Sequence, residues 1–295
     1  MRYRCRPRII SDHSKTLSER VFLSDANRSN SVKKDFFENS FNFSHYKIDS
    51  TAKSDYVQHM HTTYEFLLFI SGDADYIIED FKYTLAPLDL LIIPPTNYHY
   101  LILKSNKPYE RFVLNFPAKA GVLDLLDDLA PSGKVYHFKD IPEIKASFEK
   151  TESYIQTLST KYLAAAIVNL VNDIIFRITS MNVPCEKKSD GKVSLCSEIV
   201  NYLQQDYRNI NNMEQIAKKF YICQSHLSHI FQSELGISPM KYVRQKKLLL
   251  AKTLISEGNM PTHIYEFCGF SSYNTFLRAY EKVFGCPPTI DVKQE

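Results

Sequence analysis

The arrangement of apolar residues between positions 36 and 116 constrains the fold more than any other feature of this sequence. Short apolar runs, such as residues 64–70, alternate with turn clusters, such as Ser-Gly-Asp-Ala-Asp at 71–75. Comparable runs follow at residues 76–79, 83–85, 90–93, 98–103 and 111–116, with prolines at 87, 94, 95 and 108 between them. Many short strands at spacings of about 8–12 residues predict an all-β sandwich or barrel.

The hydrophobic period becomes helical after about residue 141. One face of this segment is apolar, and its residues fall at helical spacing: Leu163, Ile167, Leu170, Val171, Ile174 and Ile178. Val168 and Ile175 widen the face beyond what packing on a small barrel requires. We therefore expect residues 141–179 to form a dimerisation segment, with simple packing against the barrel as the alternative.

A break at residues 180–192 precedes a second half that is helical throughout. This segment contains Pro, Gly, Ser and charged residues without periodicity, which predicts a linker. Beyond it, start and stop signals delimit the helices, among them Asn212, Ser238 before Pro239, and Gly285. The chain is therefore expected to contain a β domain followed by a helical domain.

The helical half contains two helix–turn–helix patterns, one in QSHLSHIFQSELG and its preceding helix, the other around SSYNTFLRAYEKVFG. The residues predicted to be buried by the helical period are Leu227, Ile230, Phe231, Phe276, Ala279 and Tyr280. The residues predicted to face outward and to bind DNA are Gln224, Ser225, His226, Ser228, His229, Gln232, Ser272, Tyr273, Asn274, Thr275 and Arg278.

The outward residue types suit a DNA duplex. Asn and Gln amides can pair with adenine, Arg can pair with guanine, and hydroxyls can bind phosphates. For a single helix, an ordinary solvated polar face would be the preferred interpretation. Two units with matching glycine, turn and cap patterns favour DNA binding.

Geometry and local charge agree with this interpretation. A helix over residues 238–256 would be about 28 Å long at about 1.5 Å per residue. It can therefore hold two helices in successive major grooves, which lie about 34 Å apart. Residues 218–282 carry nine Lys and Arg against four Glu, an excess that favours phosphate binding. For Lys246 and Lys247 alone, a solvated basic face is the alternative.

The region from about residue 195 to 288 resembles the DNA-binding domain of the AraC/XylS family of transcriptional regulators. The resemblance rests on HLSHIFQSELGISPMKYV, KKLLLAKTLI and CGFSSYNTFLRAYEKVFGCPP, and it implies sequence-specific DNA binding by the two helices. The sequence departs from the family pattern at Cys223, where a capping Ser is usual, and at Lys247, where Arg is usual. It also departs at Pro261, at Tyr265 and in its TIDVKQE ending.

A histidine motif, HMHTTYE at 59–65, is the most distinctive local feature of the predicted barrel. His59 and His61 share one face because strand side chains alternate, and His99 can approach from a neighbouring strand. Together with Glu65, three imidazoles form a plausible set of metal ligands. The residues predicted to bind a ligand are His59, His61, Tyr64, Glu65, Tyr98 and His99.

This motif, H-x-H-x3-E followed by I-P-P-x-x-x-H, resembles that of cupin barrels, with Leu88 in place of the glycine usual before Asp89. The resemblance implies two outcomes: metal-binding cupins use these positions as ligands, and the sensor barrels of AraC-like regulators use the cavity for a small effector. Three interpretations stay open, namely effector-pocket lining, strand-end capping and metal ligation. Candidate walls of the cavity are Tyr64, Phe66, Tyr76, Tyr98 and Tyr100.

The predicted fold class is a multidomain β plus α chain, with an N-terminal cupin-like β-barrel, a helical dimerisation segment and a C-terminal all-α double helix-turn-helix domain. The predicted boundaries are a loose N-terminal arm at 1–35, an effector-sensing barrel at 36–140, the dimerisation segment at 141–179, the linker at 180–192 and the DNA-binding domain at 193–295.

The predicted function is that of a transcriptional regulator that senses a small molecule, such as a sugar or related metabolite, in its barrel. The expected partners are double-stranded promoter DNA, a small-molecule effector, a second copy in a homodimer and, for an activator, RNA polymerase. No membrane partner, cofactor, resident metal or catalytic residue is expected. The main alternative is a metal-dependent cupin enzyme with an appended helical interaction domain, and a third is a structural dimer scaffold.

Several enzyme classes and locations are disfavoured by the sequence. The chain has only eight glycines and contains neither GxGxxG nor GxxxxGK[ST], which argues against nucleotide-binding enzymes. No signal-peptide pattern follows the basic N-terminus, and the six cysteines form no CxxC pair. We therefore expect a cytoplasmic protein with free thiols.

Overall fold

The structure, a computed structural model, describes residues 31–38, 41–49, 58–117, 123–131, 133–186 and 194–291. The strands within these residues are β1 (Ser31–Glu38), β2 (Phe41–Ile48), β3 (Thr63–Ser71), β4 (Ala74–Ile78), β5 (Phe81–Thr84), β6 (Asp89–Ile93), β7 (His99–Leu103), β8 (Tyr109–Pro117) and β9 (Lys134–His137). The helices are α1 (Leu123–Leu129), α2 (Glu143–Thr157), α3 (Thr160–Ser180), α4 (Leu195–Asp206), α5 (Met213–Lys219), α6 (Gln224–Glu234), α7 (Pro239–Ser256), α8 (Pro261–Ile264) and α9 (Tyr273–Phe284).

The strands form two antiparallel sheets that enclose a core. The larger sheet has the order β1-β2-β8-β3-β6-β9, and the smaller has the order β5-β4-β7. Leu67 and Phe69 of β3 share the core between the sheets with Tyr76 and Ile78 of β4. The strands predicted between residues 64 and 116 are confirmed to within about two residues at each end, a normal margin for element boundaries.

The strands of the larger sheet are nearly continuous apolar runs because both faces of that sheet are buried. Side chains alternate along a strand, so Leu67 and Phe69 lie between the two sheets, whereas Phe66 and Leu68 pack against helices α1 to α3. Strand β6 repeats this division along Asp89–Ile93. The β domain therefore has two apolar layers, one between the sheets and one beneath the helices.

Helix α3 supplies much of the layer beneath the larger sheet. By length and composition alone, Tyr162–Ser180 could span a membrane. In the structure, Ile167, Ile174 and Ile175 are fully buried in the core of the β domain. The apolar face predicted from the helical period is thus a packing face, while Tyr162 and Phe176 lie exposed on the opposite side.

The second half folds into a helical domain with two apolar cores that share α7. Tyr242 and Val243 belong to the first core with α4, α5 and α6, and Leu248 and Ile255 belong to the second with α9. Each end of α7 is therefore built into a different helix–turn–helix unit, as the sequence predicted.

The predicted caps of these helices are confirmed. Asn212 and Gln215 form a reciprocal capping box at the start of α5. The Ser238 side chain accepts a hydrogen bond from the Lys241 backbone N–H, and Gly285 ends α9 in the left-handed conformation at φ 76°. Caps satisfy backbone groups that a helix end leaves unpaired, so these residues fix where the helices begin and end.

Two expected boundaries differ from the structure. Residues 31–35, assigned to a loose arm, form the first part of β1 and pair with β2, while residues 1–30 lie outside the described residues. Residues 184–186, assigned to the linker, make backbone hydrogen bonds of 2.8 and 2.9 Å with β9. The segment 141–179, expected to be helical, contains α2 and nearly all of α3. Strand edges acquire main-chain partners whatever their side chains, which explains why composition misplaced the boundaries at 31–35 and 184–186.

Asp75 on β4 is a buried carboxylate with two cationic partners. Lys82 Nζ lies 2.7 Å and Lys104 Nζ 3.1 Å from its oxygens, and Thr84 Oγ1 donates to it at 2.9 Å. Burial disfavours the charged form, but the hydrogen bonds from Lys82 and Lys104 outweigh burial, so the pKa of Asp75 lies below its ordinary value.

We expect Asp75 to steepen the loss of stability in acid. A carboxyl with a depressed folded-state pKa stabilises the fold above its unfolded-state pKa of about 3.9, and the contribution is lost as the pH falls through the folded-state value. Thermal unfolding between about pH 6 and pH 3 should show a steeper fall in Tm for the wild type than for Asp75→Asn. Equal slopes for the two proteins would contradict this assignment.

Candidate nucleic-acid interface and histidine site

Helix α6 presents the polar face predicted for the first helix–turn–helix unit. Its apolar stripe of Leu227, Ile230 and Phe231 is buried, as expected. Ser228 is half-buried, with its hydroxyl 4.0 Å from the sulfur of Met213. The exposed members of the predicted set are Gln224, Ser225, His226, His229 and Gln232.

Helix α9 presents the second polar face with two differences from the prediction. Ser272 is the N-cap, and its hydroxyl accepts from the Thr275 backbone N–H at 3.3 Å. Tyr273 is half-buried, and its ring centroid lies 5.9 Å from that of Tyr265 and 6.0 Å from that of Phe276. The exposed members of the predicted set are Asn274, Thr275 and Arg278.

Lys247 on α7 ties the two units together. Its Nζ donates to the carbonyl oxygens of Ile210, before α5, and Gly269, before α9, at 2.7 Å each. Burial lowers the pKa of Lys247. Gly269 lies at φ 86°, and a Cβ there would come within 2.1 Å of the Arg208 carbonyl oxygen, so the loop before α9 packs directly on the first unit.

Lys246 and Lys247 do not form a solvated basic face, which corrects the alternative considered from sequence. The two residues are 4% and 5% exposed. Lys246 pairs with Glu79 of the β domain at 3.5 Å, and Lys247 is held by the carbonyls of Ile210 and Gly269. Two of the nine basic residues in 218–282 are therefore buried, so the positive charge at the surface of the helical domain is smaller by two than the count from sequence.

Four of the six predicted ligand-binding residues converge in the β domain. One ligand atom each from His59, His61, Glu65 and His99 lies within 4.8 Å of the others. An antiparallel bridge pairs the backbones of His59 and His99, and each backbone N–H donates to the carbonyl of the other residue, with N to O distances of 3.2 and 3.0 Å. Glu65 comes from β3, directly after the segment that carries His59 and His61, and His99 comes from the start of β7. Three short pieces of chain therefore meet at one point.

The imidazoles are oriented by backbone carbonyls. His61 Nδ1 lies 2.8 Å from Thr63 O, and His99 Nδ1 lies 2.8 Å from Asn97 O. Because a carbonyl only accepts, each Nδ1 must carry the proton, which leaves each Nε2 directed at the cluster. His61 Nε2 lies 3.0 Å from Glu65 Oε2.

Glu65 is held by two further polar neighbours: Tyr76, which the sequence suggested as a wall of the cavity, and Asn115, to which the sequence assigned no role at this site. The Asn115 amide donates to its Oε2 at 2.9 Å, and the Tyr76 hydroxyl donates to its Oε1 at 3.2 Å. Burial disfavours the charged carboxylate of Glu65. Hydrogen bonding and electrostatic attraction to His61 and His99 outweigh this effect and hold the pKa of Glu65 well below its ordinary value. Only the tertiary pairing of β3 with β8 brings Asn115 opposite Glu65.

These residues fit a divalent first-row transition-metal ion. Such ions prefer imidazole nitrogen and carboxylate oxygen, and a metal-bound His commonly donates its other ring N–H to a carbonyl. His99 Nε2 is fully buried and makes no hydrogen bond with any described residue. His59, His61, Glu65 and His99 would hold the ion, which would supply a positive charge at a site of converging acceptors.

Tyr64 and Tyr98 do not join this cluster, contrary to the prediction. The Tyr64 hydroxyl bonds Asp127 beneath the larger sheet. The Tyr98 hydroxyl bonds Gln58 at 2.8 Å, and its ring lies 6.2 Å from that of Tyr242 in the helical domain. Both tyrosines are next to a ligand residue in sequence, so strand alternation directs them to the opposite face.

Glu79 joins the β domain to the helical domain. This buried carboxylate, at φ 55° after β4, accepts from the Tyr98 backbone N–H at 3.0 Å and from the Tyr242 hydroxyl at 2.9 Å. Lys246 Nζ lies 3.5 Å away. Burial lowers the pKa of Lys246, and Glu79 partly offsets that effect. Next to Glu79, Asp80 accepts from the Ser197 hydroxyl of α4.

Comparisons with known proteins agree with this two-domain arrangement. The model of the AraC-like ligand binding domain matches residues 45–162, and that of a helix-turn-helix domain matches residues 216–293. The chain belongs to the AraC family of transcriptional regulators. It combines an N-terminal ligand-binding domain with a helix-turn-helix DNA-binding domain.

Relatives of this AraC-family regulator include proteins that align along most of its length. The probable transcriptional regulator LumQ of Photobacterium leiognathi is 26% identical over 253 residues, which is 83% of this chain and 94% of LumQ. The uncharacterized regulator YobQ of Bacillus subtilis is 25% identical, covering 80% and 88% of the two chains. The transcriptional activator RhaS of Mannheimia succiniciproducens is 21% identical, covering 78% and 87%.

We expect Lys247→Met to destabilise the DNA-binding domain of this regulator. The substitution leaves the Ile210 and Gly269 carbonyls without their donor, at about 1–3 kcal/mol for each unsatisfied group. Chemical denaturation should show this loss for Lys247→Met, a smaller loss for Lys247→Arg, and almost none for Lys241→Met, since Lys241 is exposed on the same helix. Equal stability of Lys247→Met and Lys241→Met would contradict the role of Lys247.

Proposed function

We propose that this AraC-family protein is a ligand-responsive regulator that reads promoter DNA with α6 and α9 in successive major grooves. The observation that carries the proposal is the placement of two helices, each with an exposed polar face, in helix–turn–helix units that share one connecting helix, α7. Eighteen residues give α7 a length of about 27 Å, close to the spacing of major grooves on one side of the duplex.

The proposed base and phosphate contacts come from the exposed residues of both helices. Residues near the N-terminus of a recognition helix reach base edges, which favours Gln224 on α6 and Asn274 on α9. Arg278 offers two parallel donors for guanine or phosphate. Ser228 and Tyr273 have supporting roles because both are half-buried, and Ser272 caps α9. The other proposed contacts are Ser225, His226, His229, Gln232 and Thr275.

The histidine site is the proposed effector site of the ligand-binding domain. Four polar ligand residues converge here, two of them buried and two half-buried, next to the contact between the domains, and this supports a regulatory role over a merely structural one. The relatives are regulators, which supports a non-enzymatic role for the domain. A metal-dependent enzyme would use the same residues, and substrate turnover by the purified protein would favour it.

The proposed assembly is a homodimer formed through α3. Tyr162 and Phe176 are 59% and 57% exposed on the side of α3 that faces away from the core. Exposed aromatic residues on one helix provide an apolar contact for a second copy.

The proposed domain limits follow the sequence boundaries with the corrections at 31–35 and 184–186. A cytoplasmic location, and RNA polymerase as partner of an activator, complete the proposal.

Selection from a pool of random duplexes tests DNA recognition directly, because the pool contains every candidate operator. The regulator should enrich sequences with two conserved blocks whose centres lie about 10 base pairs apart. Gln224→Ala and Arg278→Ala should each weaken binding to the selected site by about tenfold or more, since a good base contact contributes about 1–3 kcal/mol.

The matched control is Gln156→Ala, which removes an exposed amide from α2 in the other domain. This variant should bind the selected site like the wild type. A selection that enriches no sequence, or equal affinities for all three variants, would refute the proposed DNA interface.

A further inference from the structure

Two chain segments of the ligand-binding domain each serve the histidine site and the DNA-binding domain at once. In the first, His59 and His61 belong to the site, whereas Met60 packs against both apolar cores of the helical domain. In the second, His99 belongs to the site, whereas Tyr98 and Tyr100 belong to the first helical core. Alternating side chains thus point in opposite directions along both segments.

Close packing joins these segments to the DNA-binding domain. A Cβ at Gly236, after α6, would lie 2.3 Å from the Gln58 amide nitrogen, so Gln58 rests directly on that backbone. The Gln58 amide oxygen accepts from Tyr98, whose ring faces Tyr242 of α7. A shift of the histidine segment therefore cannot occur without a shift at this contact, because packed interiors have little free space.

Thr96 gives a second connection between the same parts. Its backbone N–H donates to the carbonyl of His61 at 2.7 Å, and its hydroxyl lies 3.5 Å from Lys246 Nζ. Lys246 in turn pairs with Glu79 across the contact. Thr96 itself is held at φ 64°, a conformation that is costly for a β-branched residue and that the surrounding contacts must maintain.

The histidine site has the donor set of a metal centre. The Nε2 atoms of His61 and His99 are directed at the Glu65 carboxylate, and their Nδ1 protons are committed to carbonyls. Imidazole nitrogen and carboxylate oxygen are ligand atoms that suit a divalent transition-metal ion, and here they converge on one point. A divalent transition-metal ion at this point would be bound by all three side chains together with His59.

We propose that a divalent first-row transition-metal ion bound by His59, His61, Glu65 and His99 strengthens the docking of the DNA-binding domain on the ligand-binding domain. This inference rests on the proposed function of the histidine site and names its ligand class. Bonds of about 2.0–2.2 Å hold ligand atoms closer together than the 4.8 Å spread of this site. Binding therefore draws the two histidine segments together and fixes Gln58, Met60 and Tyr98 against the helices.

The test uses the purified full-length regulator, stripped with a chelator and then dialysed against Zn²⁺ or Co²⁺. The protein should bind one ion per chain, with the visible absorption of tetrahedral or five-coordinate Co²⁺. Hydrogen–deuterium exchange of the α7 amides, Pro239–Ser256, should slow by about tenfold when metal is added, since a ligand bound only to the docked state stabilises that state.

Three variants separate the metal site from the coupling. His59→Gln/His61→Gln should bind no stoichiometric metal, and metal should not change its α7 exchange. Met60→Ala keeps every ligand, so it should bind one ion. The factor by which metal slows the exchange of the α7 amides should be at least threefold smaller in this variant than in the wild type. His263→Gln, which removes an exposed histidine from α8, should behave like the wild type.

Two results would overturn the proposal. One is a metal content in the wild type no higher than in the double variant. The other is stoichiometric metal without any change in α7 exchange, which would leave a metal site that is not coupled to the DNA-binding domain. DNA selection with the metal-free wild type is run in parallel, because its failure would count against the proposed function and not against metal binding.

Discussion

A buried carboxylate, that of Glu79, holds the two domains of this regulator in one arrangement. It is 2% exposed and receives a backbone N–H from Tyr98, a hydroxyl from Tyr242 and the ammonium of Lys246. Taking charges out of water costs several kcal/mol for each ion, and the cost is recovered only when partners are well placed. The contact therefore favours one docked geometry over many loose ones, because any other would leave Glu79 without its donors from the helical domain, Tyr242 and Lys246.

The arrangement around Glu79 gives α7 two roles through adjacent residues. Lys246 connects the helix to the ligand-binding domain, and Lys247 connects it to the loops before α5 and α9. Neighbouring positions on a helix point about 100° apart, so one short stretch can serve both contacts. A change in docking is thus transmitted to the helix that sets the spacing of α6 and α9.

The sequence predicted those features that depend on local chemistry. Alternation and turn residues located the strands from 64 to 116, and cap residues such as Asn212 and Ser238 located the helix starts. The spacing of His59 and His61 predicted their shared face, and Glu65 and His99, named as candidate ligands, converge with them. These signals lie within a few residues of the elements they define, so they survive in a single sequence.

Features that depend on distant parts of the chain could not be predicted. Lys246 resembles a surface lysine until its partner Glu79, 167 positions away, is known. Tyr98 was expected inside the β domain, but the docked helices give its face of the strand a second apolar environment. Asn115 acquires its role at Glu65 only through the register of β3 and β8. Pairing and docking, rather than residue type, decide these positions.

A double-mutant cycle between Glu79 and Lys246 tests the central claim most directly. Glu79→Gln, Lys246→Met and the double variant would be compared by the native-state hydrogen exchange of the α7 amides, which reports the free energy of undocking. We predict that the α7 amides exchange faster in each single variant than in the wild type. The loss of docking free energy in the double variant should be smaller than the sum of the losses in the two single variants, by a coupling energy of about 1–3 kcal/mol. Additive effects, or exchange equal to the wild type in all three proteins, would contradict the proposed role of Glu79.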